Sequence, residues 1–268
     1  MNFELSNKVL IPGIGYGTWK IPNLDAPELV AKAIEIGYRH IDTAAIYRNE
    51  QGVGEGLKKS RIAREEIFLT TKCWNSDHGF DQAIAAFNQS LELLQTDYID
   101  LYLIHWPKKT NLETWKALEK LYNDKKVKAI GVSNFHQHHL QEIIDSGSII
   151  PMINQIELHP RLNQKNLVKF GRDHNVITEA WSPLMRGDLS SLAEIEAIAQ
   201  KHNKTVAQVI IRWNLDKGIV VLPKTATVSR MKENFDVFDF SLSENEINMI
   251  DSLNRDERIG PDPDNYDF

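Results

Sequence analysis

Arg39-His40-Ile41-Asp42-Thr43-Ala44-Ala45-Ile46-Tyr47 follows a helix-like run that stops at Gly37, opens like a short strand and then loses its apolar pattern. That leaves an Asp, a Thr and a Tyr in the loop that should follow the strand. In parallel α/β proteins function collects at the carboxyl ends of strands, where a rigid scaffold holds loops that are free to vary. Read alone, the stretch has an equally good plain explanation, in which Asp42 caps the next helix and Tyr47 packs beneath it. The rest of the chain has to decide.

Before this stretch, residues 3–11 with Pro12-Gly13 read as a short antiparallel hairpin, 14–19 as a strand, and 27–36 as a helix ended by Gly37. After it, Asn49 is placed to cap a helix running to about Lys59. Further strands are expected over 66–72, 98–105, 127–133, 151–155, 176–181 and 218–223. Helical spacing marks 80–94, 112–122, 138–146, 167–174, 192–202, 206–215, 228–235 and 244–253, and a polar tail trails off over 255–268. Eight strands alternating with helices predict an α/β fold, a (β/α)8 TIM barrel with an N-terminal β-hairpin and extra C-terminal helices, as a single domain over residues 1–268. A doubly wound sheet would alternate in the same way, but its dinucleotide motif is missing. Neither Gly13-Ile14-Gly15-Tyr16-Gly17 nor Gly52-Val53-Gly54-Glu55-Gly56 has the G-x-G-x-x-G spacing, and the second lies inside a helix pattern.

Composition narrows the function classes. The 31 Lys and Arg against 37 Asp and Glu give a net charge of −6, which argues against a general nucleic-acid or anionic-membrane surface while leaving room for a local basic pocket. A lone Cys73 excludes an intramolecular disulfide framework and a multi-cysteine zinc site. The first residues do not read as a secretory signal, and no apolar run approaches the roughly 20 residues needed to cross a bilayer. A cytoplasmic protein is expected.

The polar residues at the strand ends then take on weight. The strand ends at Asp42, Lys72 and His105, with Tyr47 in the loop after the first of these, put an acid, an ammonium, an imidazole and a phenol on neighbouring strands of one barrel rim. Singly, each has an ordinary reading, Lys72 as a surface charge and His105 as a core histidine. Four at equivalent positions of adjacent strands are much harder to explain that way.

Three segments carry a resemblance. Gly37-Tyr38-Arg39-His40-Ile41-Asp42-Thr43-Ala44, Asp97-Tyr98-Ile99-Asp100-Leu101-Tyr102-Leu103-Ile104-His105-Trp106-Pro107, and Leu222-Pro223-Lys224-Thr225 with Arg230 and Glu233-Asn234 resemble the three signatures of the aldo-keto reductase family. The match spans essentially the whole chain and is closest to the small bacterial glyoxal and 2,5-diketo-D-gluconate reductase-like members. The resemblance implies an oxidoreductase that uses NADPH to reduce a small carbonyl compound, with Asp42, Tyr47, Lys72 and His105 as a catalytic tetrad. Elementary chemistry agrees. Hydride addition leaves negative charge on the carbonyl oxygen, which needs a proton or a fixed positive dipole. Tyr47 can give the proton, the Lys72 ammonium held by Asp42 should lower its pKa, and His105 should orient the substrate oxygen.

The resemblance also implies the cofactor site. Gly17, Thr18, Trp19 and Asp42 would border it, and Ser133, Asn134 and Gln155 would hold the nicotinamide carboxamide. Trp181 would stack on the ring. Ser182-Pro183-Leu184 would cover the pyrophosphate, with Gly187 allowing close backbone approach. Lys224, Thr225 and Arg230 would bind a 2′-phosphate, and Glu233 and Asn234 the adenine. Ordinary readings exist here too, namely helix capping for Ser133 and Asn134 and a surface pair for Arg230 and Glu233. The family more often has Ser in place of Thr225, and the extra methyl crowds the phosphate site.

Trp19, Trp74 and Trp106, each just after a strand, would ring the reactive carbonyl together with Tyr47 and His105. The expected substrates are small aldehydes, methylglyoxal-like dicarbonyls or keto-sugar acids, reduced by a monomer. The tail is a candidate to fold over the pocket, with Phe268 reaching it. Two rivals are a redox-sensing module that holds NADPH with little turnover and a metal-dependent barrel hydrolase. The second is disfavoured because no H-x-H pair closes the first strand and no further His or Asp cluster is evident at the rim, so no metal is expected.

Overall fold

The computed structural model describes residues 1–189, 192–266 and 268. β1 (Asn2–Glu4) and β2 (Leu10–Pro12) form the expected antiparallel hairpin. It sits where the barrel strands begin, with Ile11 fully buried in the core and the Asn7 amide donating to the Lys128 carbonyl at 2.8 Å.

Eight parallel strands follow: β3 (Tyr16–Gly17), β4 (His40–Asp42), β5 (Phe68–Cys73), β6 (Ile99–Ile104), β7 (Val127–Ser133), β8 (Ile153–Glu157), β9 (Ile177–Trp181) and β10 (Val220–Leu222). They lie in simple sequence order, each paired with the next. The ring closes where β10 meets the chain before β3, through Gly15 N–H to the Val221 carbonyl and Val221 N–H to the Gly13 carbonyl, both 2.9 Å. Every residue of β5 and β6 is buried, as strands between a filled lumen and a helical jacket must be.

The jacket consists of α1 (Ala26–Ile36), α2 (Glu50–Ser60), α3 (Phe80–Leu94), α4 (Asn111–Asn123), α5 (Gln137–Ser146) and α6 (Lys165–Asp173), one after each of β3 to β8. The pair α7 (Ala193–His202) and α8 (Val206–Asp216) precedes β10, and α9 (Val228–Phe235) and α10 (Glu244–Asp251) follow it. The glycine-rich run in α2 is explained by packing. A Cβ on Gly54 would lie 2.5 Å from the Leu94 carbonyl of α3, and one on Gly56 would lie 2.7 Å from Val30 of α1. No described helix is long and apolar enough to cross a membrane.

Three expectations are corrected. Asn49 precedes α2 but makes no side-chain cap. Its amide instead binds Thr43 Oγ1 at 2.8 Å and the carbonyls of Thr18 and Ile21, tying the loop after β4 to the loop after β3. β8 runs past Gln155 to Glu157, pairing Ile156 with Ala180 and Glu157 with Trp181 of β9, and the buried Glu157 carboxylate is fed by the N–H groups of Ile259 and Gly260 and by His159. The same bonds show that the tail does not trail off. It returns to the barrel mouth and is anchored there.

Candidate active site

The parallel register brings Asp42 at the end of β4, Lys72 near the end of β5 and His105 just past β6 to one rim. Tyr47 closes the short 3-10 turn Ala45–Tyr47 that leaves β4. Lys72 is fully buried, and its ammonium donates to both Asp42 oxygens at 2.8 and 2.7 Å and to the Thr43 carbonyl at 2.8 Å. Asp42 is therefore no helix cap. It is the counter-ion that lets an ammonium stand inside the barrel, where an unpaired charge would be strongly disfavoured. Burial works against the Lys72 charge, but Asp42, then Tyr47 and Glu179, outweigh it and raise its pKa.

Tyr47 is partly exposed at the mouth, with the Lys72 ammonium 5.2 Å from its ring centre and the His105 ring edge-on at 5.7 Å. Burial dominates its titration and raises the phenol above its usual 10. Lys72 pulls it down by charge and hydrogen bond, and Asp42 pushes it up. The expected influence of Lys72 is present with the expected sign, but low-dielectric surroundings outweigh it. His105 is held well below its ordinary range by burial, by Lys72 and by His78, so it is a neutral imidazole. Its Nδ1 is buried without a partner among the described residues.

A second layer lies beneath. Gln155 Nε2 donates to Asp42 at 2.9 Å and to Glu179 at 2.7 Å, linking two buried carboxylates. Burial, and then the charge of Asp42, push the Glu179 pKa up to about 8. Glu179 Oε1 lies 3.8 Å from His40 Nε2, which is hydrogen-bonded to Thr70 at 3.0 Å. Sequence reading missed Glu179 and His40, because a polar residue inside a strand carries no label saying which neighbour it will meet.

Around this centre Ser133 and Asn134 do not cap α5, whose N-cap is His136. The Ser133 hydroxyl donates to the Gln155 carbonyl at 2.9 Å. Asn134 donates to the His105 carbonyl at 2.9 Å and to Ser133, and accepts from the Trp181 indole at 2.8 Å. Asn134 thereby braces the ends of three strands and fixes the edge of the Trp181 ring. The following segment holds Ser182, Met185, Arg186 and Gly187 at positive φ. Gly187 sits at φ +96, and among the described residues nothing lies within 4 Å of where its Cβ would be.

Past β10, Lys224 and Arg230 are exposed at the start of α9, and neither makes an ion pair with a described residue. The Arg230–Glu233 pair is not formed, since Glu233 accepts from Thr205 Oγ1 at 2.8 Å. Thr225 Oγ1 accepts from the Thr227 N–H at 3.0 Å, and Asn234 is buried. Gly17 lies beside Lys224, and the Thr18 hydroxyl donates to the Asp42 carbonyl at 3.0 Å. Two cations that sequence reading missed stand over Trp19, Lys20 at 4.4 Å and Arg186 at 5.2 Å from the ring centre. Trp19 therefore joins the basic side of the mouth. Among the described residues it makes no ring contact with the other two tryptophans.

Of those two, Trp74 meets His105, and both meet the tail. Trp74 packs edge-on against His105 at 5.1 Å and stacks on Phe268 at 5.7 Å. Trp106 contacts Tyr266 at 5.0 Å and Phe268 at 5.3 Å, and the Tyr266 hydroxyl donates to the Pro107 carbonyl. The apolar wall beside His105 thus includes the tail. Cys73 is buried, and its thiol is pushed up to about 12, chiefly by burial, which leaves it inert.

A polar centre on a barrel rim, with a basic edge on one side and an aromatic wall on the other, agrees with what the chain is similar to. The glyoxal reductase of Bacillus subtilis (strain 168) is 54% identical over 267 residues, covering 99% of this chain and 97% of that protein. The methylglyoxal reductase DkgA of Escherichia coli (strain K12) is 46% identical over 268 residues, 98% and 97% of the two chains. A crystal structure of a Gox0644 mutant in complex with NADPH superposes with a TM-score of 0.95 at 43% identity, covering 100% of this chain and 99% of that one. The model of the aldo/keto reductase family matches residues 13–255. The chain belongs to the aldo/keto reductase family.

Proposed function

We propose that this chain reduces small aldehydes and dicarbonyls with NADPH, using Tyr47 as the proton donor. The observation that carries the reading is the buried Lys72–Asp42 pair standing behind a partly exposed phenol and a neutral imidazole.

The cofactor fits the groups present. Lys224 and Arg230, exposed and unpaired by any described acid, suit a 2′-phosphate, which Arg can grip with two parallel hydrogen bonds. With both its donors spent on carboxylates, Gln155 keeps its amide oxygen for a carboxamide N–H. Trp181, half-exposed and pinned by Asn134, offers an aromatic face. NADPH, when bound, supplies the hydride.

The residues of the chain do the rest. His105, neutral and packed between Tyr47 and Trp74, orients the substrate oxygen. Tyr47 then gives its proton to the oxygen as charge develops there. A raised phenol pKa keeps that proton loaded throughout the neutral range. The nearby ammonium steadies the phenolate left behind. Reduction should therefore hold level through neutral pH and decline only above the usual tyrosine range near 10, whereas alcohol oxidation, which starts from the phenolate, should improve as pH rises. A pH–rate profile in both directions checks this.

The relatives named glyoxal and methylglyoxal reductase favour dicarbonyl substrates. The aromatic wall of Trp74, Trp106, Tyr266 and Phe268 suits a compact carbonyl compound with limited polarity. The test is NADPH oxidation across a panel of aldehydes, dicarbonyls and keto-sugar acids. Steady turnover with methylglyoxal is expected, and tight NADPH binding without turnover on any member would instead support a sensing module.

A further inference from the structure

Contrary to the expectation of no further ligand cluster at the rim, the structure brings together His136, His138 and His139, at and just inside the start of α5, with Asp262 and Asp264 of the returning tail. Asp264 Oδ1 lies 3.1 Å from His138 Nε2 and 3.3 Å from His139 Nε2, and the carboxylate is 3.9 Å from His136. Among the described residues its charged or chargeable neighbours are these three imidazoles and Asp262, with no Lys or Arg. Asp262 differs, because Arg258 already holds it at 3.1 Å.

We propose that His138 Nε2, His139 Nε2 and Asp264 Oδ1 form a binding site for a divalent transition-metal ion of the zinc class, which clips the tail to the barrel. Ligands about 2.0–2.1 Å from a tetrahedral ion stand about 3.3 Å from one another. The two measured imidazole–carboxylate separations are of that size. Two imidazoles and one carboxylate select zinc-like ions over magnesium or calcium, which prefer oxygen alone, and a water completes the fourth position.

One interaction opposes binding. His139 Nδ1 accepts the His136 backbone N–H at 3.1 Å, so in the metal-free chain Nε2 carries the ring proton. An ion at Nε2 moves that proton to Nδ1 and opens the cap, which weakens binding by about tenfold. The gain is a fixed tail. Pro263 is buried between the two aspartates, and Tyr266 and Phe268 follow at the aromatic wall, so an ion at Asp264 holds the strap that carries them.

The test uses tag-free, chelator-treated full-length protein titrated with zinc chloride by calorimetry, with hydrogen exchange of residues 259–266 followed in parallel. The expected result is one ion per chain with micromolar affinity and slowed exchange in the tail. His138→Ala, at an exposed position, and Asp264→Asn should each weaken binding by about tenfold or more and abolish the slowing. Thermal melts verify that both variants are folded. No saturable binding, or equal binding in His138→Ala, would overturn the site and leave the cluster as a hydrogen-bonded latch. Neither readout depends on catalytic activity, so failure here is separable from failure of the proposed reduction.

Discussion

The two sides of the polar mouth are built on opposite rules. In the inner layer the charged groups are buried and paired: Lys72 with Asp42, and Asp42 with Gln155, which also donates to Glu179. On the edge past β10 and β9, Lys224 and Arg230 are exposed without an acidic partner among the described residues, while Lys20 and Arg186 rest on the Trp19 ring. Under the proposed reading, groups that must hold one geometry are paired within the protein, and the cations that would bind the 2′-phosphate are left for it to pair. On that reading the inner groups set a pKa and the outer ones an affinity.

Breaking the inner side should have the largest effect. Lys72→Met leaves Asp42 as a buried carboxylate without its ammonium, and removing one member of such a pair costs about 3–5 kcal/mol. Denaturant unfolding should register that loss, with turnover abolished in the folded fraction. Opening the outer side should be milder. Arg230→Ala removes a surface cation that pairs with no acid among the described residues, so unfolding should not change. Affinity for NADPH should fall about tenfold or more, as the loss of charge-assisted hydrogen bonds to an exposed 2′-phosphate implies, with little change for NADH. Fluorescence titration with both nucleotides checks the ratio.

The least disturbing change at neutral pH sharpens the contrast within the inner layer. Glu179 has a raised folded-state pKa of about 8. Its favourable contribution is therefore complete below the unfolded value near 4.5 and is lost as pH rises through about 8. Glu179→Gln keeps an acceptor for the Gln155 amide and cannot ionise. Its Tm relative to wild type should climb between pH 5 and pH 8 and level off above, and a difference independent of pH would show that Glu179 does not titrate in this window.

Much of this architecture was legible from period and punctuation. The helix at 80–94, the strand at 127–133 and the helix at 228–235 coincide with the observed elements. The tetrad residues meet because a parallel register places successive strand ends side by side, and that follows from counting strands. Features that depend on contacts between distant segments were not legible. The strand expected from sequence ends at Gln155, and nothing in the local sequence shows that the N–H groups of Ile259 and Gly260, about a hundred residues later, satisfy a buried Glu157. Asn49 looks like a cap because its sequence position suits one, and only the folded loops reveal its three partners. The imidazoles of 136–139 and the carboxylates of the tail are likewise unremarkable until the chain returns. The upward shift of Tyr47 shows the same limit, since sequence names the neighbouring ammonium but not the depth of the phenol.

The central claim is that one phenol delivers the proton to the substrate oxygen. The direct measurement is turnover of methylglyoxal with NADPH by Tyr47→Phe, alongside NADPH affinity and a thermal melt of the same protein. A loss of about 10²–10⁴-fold in kcat, with affinity and melting preserved, is predicted. Turnover close to wild type in a folded, cofactor-binding Tyr47→Phe would contradict it.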